Sequence, residues 1–287
     1  IRIFRVDNPH TKPFLFWEWL IREVKDAYPD VLFLAEAFTR PKVMNYLAKA
    51  GFTQSYTYFT WRNTKREIIE YISQLAHDQT REYFRPNFWP NTPDILPEHL
   101  QHGGRPVFMA RLVLAATLSS SYGIYGPPFE LCMGDALQGK EEYLDSEKYE
   151  IRPWYWDKPG NLKDFIARVN RIRRENPALQ TTWNVQFCET NNDNILSYGK
   201  VTEDTSDIIL VVVNLDPYHV QSGWIKVPVA AYGISGEQPY LAHDLLSDDK
   251  YIWQGENNYV ELNPQISPAH IFRIRKRLKR ETDFDYF

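Results

Sequence analysis

The sequence has few cysteines, little net charge and no long apolar run, and each of these absences excludes a class of protein. The two cysteines, Cys132 and Cys188, lie far apart and without metal-ligand spacing, which argues against a disulfide scaffold and favours a reducing, cytoplasmic setting. The 33 basic and 37 acidic side chains leave a formal charge of −4, so nothing indicates a nucleic-acid or membrane surface. The sequence contains no run of about 18 apolar residues, the length that would predict a membrane span, and no signal peptide is recognisable.

Aromatic residues, in contrast, are abundant. The sequence contains 16 Phe, 18 Tyr and 9 Trp, which together make 15% of the chain. They fit a bulky core, and they equally fit a surface for flat, partly apolar ligands such as sugars, so composition alone does not decide. The hydrophobic share of 43% and the charged share of 24% are ordinary for globular proteins and exclude a disordered, collagen-like or coiled-coil chain.

Strand-like and helix-like segments alternate about five times along residues 1–179. This alternation predicts a parallel sheet with helical crossovers. From residue 180 short strands separated by turn residues follow, which predicts an all-β domain over residues 180–275 and a solvated basic tail over residues 276–287. The predicted strands are 1–7, 31–35, 54–60, 83–89 and 121–125, then 194–198, 207–215, 223–229 and 259–262; the predicted helices are 13–28, 42–50, 64–76, 105–118 and 162–175.

Three acidic residues follow three of the predicted parallel strands. Asp7 and Glu36 end their strands directly, and Asp94 lies just beyond the fourth strand. In a (β/α)8 barrel the carboxyl ends of all strands face one mouth, so these side chains converge there. An acidic group at the end of an apolar strand is costly unless it is paired or used. A cap or an arginine partner explains one such residue, but three on one rim favour a functional site.

Such a set of carboxylates suits the cleavage of a glycosidic bond. One carboxylate attacks the anomeric carbon, while a second, protonated at the start, donates its proton to the leaving oxygen. Arg5 lies two residues before Asp7 on the same strand face, and we expect it to keep that aspartate ionised. A structural ion pair is the other interpretation of Arg5, and the two are compatible.

Three segments carry a resemblance to a known family. Residues 4–13, FRVDNPHTKP, resemble the nucleophile strand of the α-amylase superfamily and, more narrowly, that of the α-1,4-glucan:maltose-1-phosphate maltosyltransferases. Residues 33–41, FLAEAFTRP, resemble the acid/base strand of that family, and residues 87–94, NFWPNTPD, its third-acid loop. The resemblance continues through residues 147–150 and 211–216 and covers essentially the whole chain.

The resemblance implies a role for each carboxylate. Asp7 would be the nucleophile that forms a β-linked maltosyl-enzyme, Glu36 the general acid and then the base, and Asp94 the residue that stabilises the oxocarbenium charge. The histidine that amylases usually carry beside the third acid is missing here, so a hydrolase that relies on it is less expected. His10 does not replace it, and its favoured interpretation is structural.

The resemblance also implies what the protein binds. Asn8, Lys148 and Tyr149 match positions that hold the phosphate of the donor in this family, and an amide, a cation and a phenol are suitable donors to phosphate. The donor would be maltose 1-phosphate and the acceptor an α-1,4-glucan. The family works without a metal or organic cofactor and as a homodimer.

A group of aromatic residues follows the third predicted strand. Two interpretations of it are equally good, because aromatic side chains serve both as stacking platforms for a sugar acceptor and as core residues. The group consists of Tyr56, Tyr58, Phe59 and Trp61.

The implied fold is the C-terminal part of a (β/α)8 TIM barrel, about five of its eight units from strand 4, followed by an all-β sandwich domain.

The expected protein is a retaining glycosyltransferase that moves maltosyl units from α-maltose 1-phosphate to the non-reducing end of α-1,4-glucan chains. The alternatives are an amylase-like α-glucan hydrolase or transglycosidase, and a non-catalytic glucan-binding fragment. Because the chain opens within a strand and a barrel closes only with all its strands, we expect an isolated fragment that is inactive and aggregation-prone.

Overall fold

The molecule combines a parallel sheet flanked by helices with two antiparallel sheets. A computed structural model describes residues 1–144, 146–147 and 151–276 of the chain. The parallel sheet has four strands, and the antiparallel sheets have six and two strands. No helix among the described residues is long and apolar enough to cross a membrane.

The parallel sheet and its helices occupy the first part of the chain, and each strand leads into a helical segment. Strands β1 to β4 are hydrogen-bonded in chain order. The elements are β1 (Ile3–Asp7), α1 (Phe14–Ala27), β2 (Leu32–Glu36), α2 (Pro41–Lys49), β3 (Gln54–Tyr56), α3 (Lys65–His77), β4 (Pro86–Asn87), α4 (Glu98–His102), α5 (Gly104–Leu118), α6 (Gly126–Glu130) and α7 (Lys163–Glu175).

The five predicted helices are confirmed to within one residue at each end, because their apolar spacing matches the helical period. Local signals fix some of the ends. Helix α3 begins with a capping box, in which the Thr64 side chain accepts from the backbone of Glu67 and the Glu67 side chain accepts from the backbone of Thr64. Helix α5 is apolar almost all round and is buried along most of its length, as expected for a helix covered on every side.

Three predicted strands are much shorter in the structure than the sequence pattern indicates. The strand expected over residues 83–89 is reduced to the two residues of β4. The strand expected over residues 54–60 ends at Tyr56, and a turn of 3₁₀ helix follows. The buried Arg111 side chain donates to the carbonyl oxygens of Phe59 and Arg62 at this turn. The strand expected over residues 121–125 is reduced to one parallel bridge, between Tyr122 and Phe88. The parallel sheet thus has four strands and this bridge, where five strands were predicted.

The antiparallel sheets form the second part of the chain, and no helix longer than a turn occurs there among the described residues. The larger sheet has the order β10-β9-β12-β7-β6-β5, and β11 pairs with β8 in the smaller one. The strands are β5 (Val185–Cys188), β6 (Ile195–Val201), β7 (Ile208–Asn214), β8 (Gln221–Lys226), β9 (Pro239–Asp244), β10 (Lys250–Gln254), β11 (Asn257–Leu262) and β12 (Ala269–Arg275).

Sequence patterns found only half of these eight strands. The predicted strands correspond to β6, β7, β8 and β11, whereas β5, β9, β10 and β12 were missed. The missed strands carry polar or charged residues at regular intervals, as in the segment AHIFRIR of β12. Strand β12 pairs with β7 and β9, which are distant in sequence, whereas β5 pairs with the next strand β6 and β9 with the next strand β10. Pairing as well as local composition determines such strands.

Strand β7 is buried along its whole length and separates two hydrophobic clusters. Leu210 and Val212 belong to a cluster that also contains Ile225 and Val260 of the smaller sheet. The alternate residues of β7 belong to a second cluster that extends to α3, α5 and α7. Because side chains alternate across a strand, β7 contributes to both cores at once.

A buried histidine–aspartate pair joins β12 to the end of β9. His270 Nδ1 lies 2.8 Å from Asp244 Oδ2, and the same carboxylate accepts from the backbone of Leu246 and Ile271. Burial lowers the pKa of His270, but the hydrogen bond and negative charge of Asp244 outweigh it and raise that pKa above its ordinary value. The ion pair therefore stabilises the fold most when His270 carries its proton.

We predict that the stability gained from this pair depends on pH. The His270→Gln variant should lose about 2 kcal/mol of unfolding free energy at pH 5.5, and less as pH rises through the folded-state pKa of the histidine, because the wild-type charge is then absent. Urea titrations at several pH values measure this difference. The matched control is His219→Gln, because His219 pairs with Asp216 at the exposed surface and should change little. A loss that does not vary with pH would contradict the prediction.

Candidate active site

Asp7 and Glu36 lie side by side at the carboxyl end of the parallel sheet. They are the last residues of β1 and β2, and the strand register pairs them directly. The negative charge of Asp7 favours the protonated form of Glu36 and so helps to raise its pKa. The convergence expected from two neighbouring parallel strands is therefore present.

Glu36 is buried, and this burial sets its protonation. Removal from water raises the pKa of Glu36 to about 7; the positive charge of Arg5 opposes this rise, and the charge of Asp7 adds to it. Glu36 is therefore a carboxyl group that is largely protonated just below neutral pH. Such a group can donate a proton in one step and accept one in the next.

Arg5 joins the carboxylates of the site. Its Nη2 atom lies 3.5 Å from Oε1 of Glu36 and 3.6 Å from Oδ2 of Asp94. The sequence led us to expect that Arg5 would act on Asp7, but both of its ion pairs in the described chain are with the other two acids. The Arg5 guanidinium thus lies within ion-pair distance of both Glu36, which ends β2, and Asp94, which lies beyond β4.

Asp94 reaches the site from a tight turn beyond β4. The backbones of Thr92 and Ile95 form two hydrogen bonds with each other, so the intervening residues are turned sharply, as suits the proline at position 93. Asn91, which is completely buried, fixes the start of this loop by donating to the Tyr143 hydroxyl at 2.6 Å and accepting from the Tyr125 backbone at 3.0 Å. The loop therefore has a defined conformation that brings Asp94 to Arg5.

Asn8 lies directly beyond Asp7 and turns the chain sharply. Its backbone is left-handed, with φ 45° and ψ 49°, a conformation that asparagine adopts more readily than most residues. Its backbone N–H donates to the Glu36 carbonyl oxygen at 3.0 Å. Lys148 and Tyr149, the other two residues expected to bind phosphate, lie outside the described residues.

The aromatic residues after β3 divide into two groups. Phe59 is completely buried and stacks on Phe88 at 4.5 Å, so it is a core residue. Tyr58 and Trp61 are half-buried and meet the ring of Phe38, which follows Glu36 by two residues. These three rings form an aromatic cluster that begins two residues beyond Glu36.

Tyr56, the remaining member of the expected aromatic group, and other residues of the site make contacts that gave no recognisable signal in the sequence. Tyr56 is buried at the end of β3, and its ring stacks on Trp89 with centroids 4.8 Å apart. Gly123 lies against this tryptophan, where a Cβ atom would be 2.3 Å from its Cζ2 atom. Tyr125 donates to the Glu147 carboxylate at 3.2 Å and lies near Asp94. These contacts join segments far apart in sequence, so periodicity could not reveal them.

Solved structures with the same fold define the class of protein. The α-amylase of Geobacillus thermoleovorans in complex with acarbose matches with a TM-score of 0.72 at 14% identity, over 97% of this chain and 61% of that chain. An Anoxybacillus α-amylase matches with a TM-score of 0.70 at 14% identity, over 98% of this chain and 60% of that chain. The chain therefore has the mixed α/β fold, with antiparallel β-sheets, of the α-amylases.

Relatives by sequence share one name. The α-1,4-glucan:maltose-1-phosphate maltosyltransferase of Chlorobaculum tepidum is 55% identical over 96% of this chain and 42% of its own length. The enzyme of that name from Rhodospirillum rubrum is 57% identical over 96% of this chain and 40% of its own length. A family model described as "GLGE, C-terminal" matches residues 187–274. By sequence, the chain is similar to these maltosyltransferases and matches their C-terminal part, about two fifths of their length.

The left-handed backbone at Asn8 leads to a prediction about stability. Glycine adopts this conformation without strain, whereas alanine pays about 1 kcal/mol to do so. Asn8→Ala should therefore unfold at lower urea concentration than Asn8→Gly, with an unfolding free energy about 1 kcal/mol smaller. Equal stability of the two variants would show that the turn relaxes when the asparagine side chain is removed.

Proposed function

We propose that the protein containing this chain is a retaining glycosyltransferase that moves maltosyl units from α-maltose 1-phosphate to the non-reducing end of α-1,4-glucan chains, with release of phosphate. The observation that carries the proposal is the pairing of Asp7 with the buried Glu36 at the ends of adjacent strands. The names of the family members point to the same reaction.

The proposed mechanism is a double displacement. Asp7 attacks the anomeric carbon and forms a bond to it while the bond to the phosphate oxygen breaks, and the protonated Glu36 gives its proton to the departing phosphate. Glu36, now ionised, accepts the proton of an acceptor hydroxyl, whose oxygen replaces Asp7 at the anomeric carbon. A pKa of about 7 suits both steps near neutral pH.

Asp94 and Arg5 support this chemistry in the proposal. Asp94 stabilises the positive charge that develops on the sugar ring in both transition states. Arg5 keeps the carboxylates in place and limits the rise in the pKa of Glu36. We assign Asn8, Lys148 and Tyr149 to the phosphate of the donor, which rests on the resemblance of their segments to the family.

The finer architecture is part of the same proposal. We infer that the four parallel strands belong to a (β/α)8 barrel, of which β1 is the fourth strand, and that residues 180–275 form a β-sandwich domain. The in-order parallel pairing of β1 to β4 and the cluster shared by the two antiparallel sheets support this arrangement. Strand β1 is an edge strand whose Ile3 and Phe4 side chains are exposed, as expected for a sheet that continues past it.

An amylase-like hydrolase or transglycosidase is the competing function, since it uses the same three acids. The experiment that separates them is incubation with maltose 1-phosphate and a maltooligosaccharide. It is run on the 287-residue chain and on this chain joined to the N-terminal part of the Chlorobaculum tepidum relative. We expect phosphate release with chain elongation from the joined protein and none from the 287 residues alone. Release of reducing sugar that does not depend on maltose 1-phosphate would favour the hydrolase.

We predict that Asp7 is indispensable in the joined protein. Asp7→Ala should lower the transfer rate by more than about 10⁴-fold, since it removes the nucleophile. Circular dichroism should show an unchanged fold, because the Asp7 side chain lies at the exposed rim. An active Asp7→Ala protein would refute the assignment.

We predict a different outcome for Glu36. Phosphate is a good leaving group, so Glu36→Ala should slow the second half-reaction more than the first and let a maltosyl-enzyme accumulate. Intact-mass spectrometry after mixing with maltose 1-phosphate, followed by peptide mapping to Asp7, measures this adduct. The Asp7→Ala, Glu36→Ala double variant is the control and should carry none. Lack of an adduct in the single variant would count against double displacement.

A further inference from the structure

A cavity lies where helices α4 and α5 meet the segment that follows β7, and it has a volume of about 360 Å³. The hydroxyl of Tyr218 donates to the carbonyl oxygen of His102 at 3.1 Å and joins the two sides. The apolar lining comes from both sides and consists of Val107, Ala110, Leu114, Leu215 and Pro217. Pockets of this size hold small organic molecules. The described lining includes none of the three carboxylates of the candidate active site, so the cavity is a separate feature.

The wall of this cavity contains a buried arginine, Arg111 of α5, that has no counterion among the described residues. Only 3% of its surface is exposed. Its Nη1 and Nη2 atoms donate to the carbonyl oxygens of Arg62 and Phe59, whereas its Nε atom has no hydrogen-bond partner in the described chain. Burial lowers the pKa of Arg111 to about 9, so the guanidinium is still charged at neutral pH. Because a buried, unpaired charge is costly, an anion in the cavity would stabilise this wall.

A second unpartnered polar atom belongs to the same lining. The Nε2 atom of His99, on α4, is buried and makes no hydrogen bond with the described residues. Burial and the positive charge of Arg111 both lower the pKa of His99, to about 2, so the imidazole is neutral. A neutral imidazole donates from Nε2 when its proton is on that atom. Arg111 and His99 therefore give the lining two N–H groups that lack an acceptor.

The charges of the lining select the kind of ligand. A water molecule would satisfy the two N–H groups, but it brings no negative charge to offset the guanidinium. A carboxylate supplies both the acceptor oxygens and the charge. A phosphate dianion fits less well, because the described lining holds no lysine and no second arginine and includes one acid, Glu98. The apolar residues of the lining favour a ligand whose body consists of CH groups.

We propose that this cavity is a binding site for a small organic monocarboxylate, whose carboxylate accepts from Arg111 and His99 and whose apolar body packs between α5 and the segment that follows β7. The inference does not rest on the proposed function, since no residue of the candidate active site takes part in it. Because the ligand contacts both parts of the chain, its binding should also raise the unfolding temperature.

The test uses the joined protein of the transfer assay and the probe 4-bromobenzoate. Isothermal titration calorimetry measures its dissociation constant, and the anomalous signal of bromine in soaked crystals locates it. The neutral analogue 4-bromobenzamide should bind at least about tenfold more weakly, because it lacks the charge that pairs with Arg111. Equal affinity of the two compounds, no binding up to about 10 mM, or bromine only at other places would overturn the inference. Inorganic phosphate that displaces the probe at lower concentration would overturn the assignment to a carboxylate.

Two variants of the lining keep the test decisive. His99→Phe retains a ring of similar size but removes the Nε2 donor, so it should weaken 4-bromobenzoate binding by about tenfold. Ala110→Phe should fill the space of the probe and abolish binding, which provides a second measurement if the first variant fails to fold. The matched control is His77→Phe, because His77 is exposed on α3 and outside the cavity; its affinity should equal that of the wild type. Unchanged affinity in a folded His99→Phe or Ala110→Phe protein would refute the site.

Discussion

The candidate site depends on one electrostatic conflict, the burial of the Glu36 carboxyl group next to a second acid. Burial and the charge of Asp7 both favour the protonated form, and the guanidinium of Arg5 limits the effect so that the pKa of Glu36 is about 7. A stronger contact with the cation would lower the pKa of Glu36, and loss of the cation would raise it further. The geometry of β1, β2 and the loop beyond β4 serves to keep these opposing influences in balance.

Much of the site was predictable from the sequence, because strand ends are a local signal. An apolar run that ends in an acidic residue indicates both a strand and its carboxyl end. Because adjacent parallel strands end at the same edge of the sheet, Asp7 and Glu36 then lie side by side. The five main helices were predictable for the same reason, since the helical period is local. The family resemblance added roles to these residues, but their convergence already followed from the pattern.

What could not be predicted depends on contacts between distant segments. Arg5 was expected to act on Asp7, whereas it pairs with Glu36 and with Asp94, which the loop beyond β4 contributes. The stack of Tyr56 on Trp89 against Gly123 joins three separate segments and has no periodic signature. Half of the antiparallel strands were missed, among them β12, whose partners β7 and β9 lie far from it in the sequence.

Strand β7, buried on both sides, limits how the two parts of the chain can diverge. Its alternate residues pack in two different cores. Substitutions that adapt β7 to one core therefore have to be confined to every second residue, so that the packing of the other core stays unchanged. The buried hydrogen bond between Thr117 of α5 and Tyr198 of β6, at 2.6 Å, adds to this shared wall. The antiparallel part is therefore no interchangeable module: replacing it with the corresponding part of a distant relative would leave α5 facing side chains that it has never packed against.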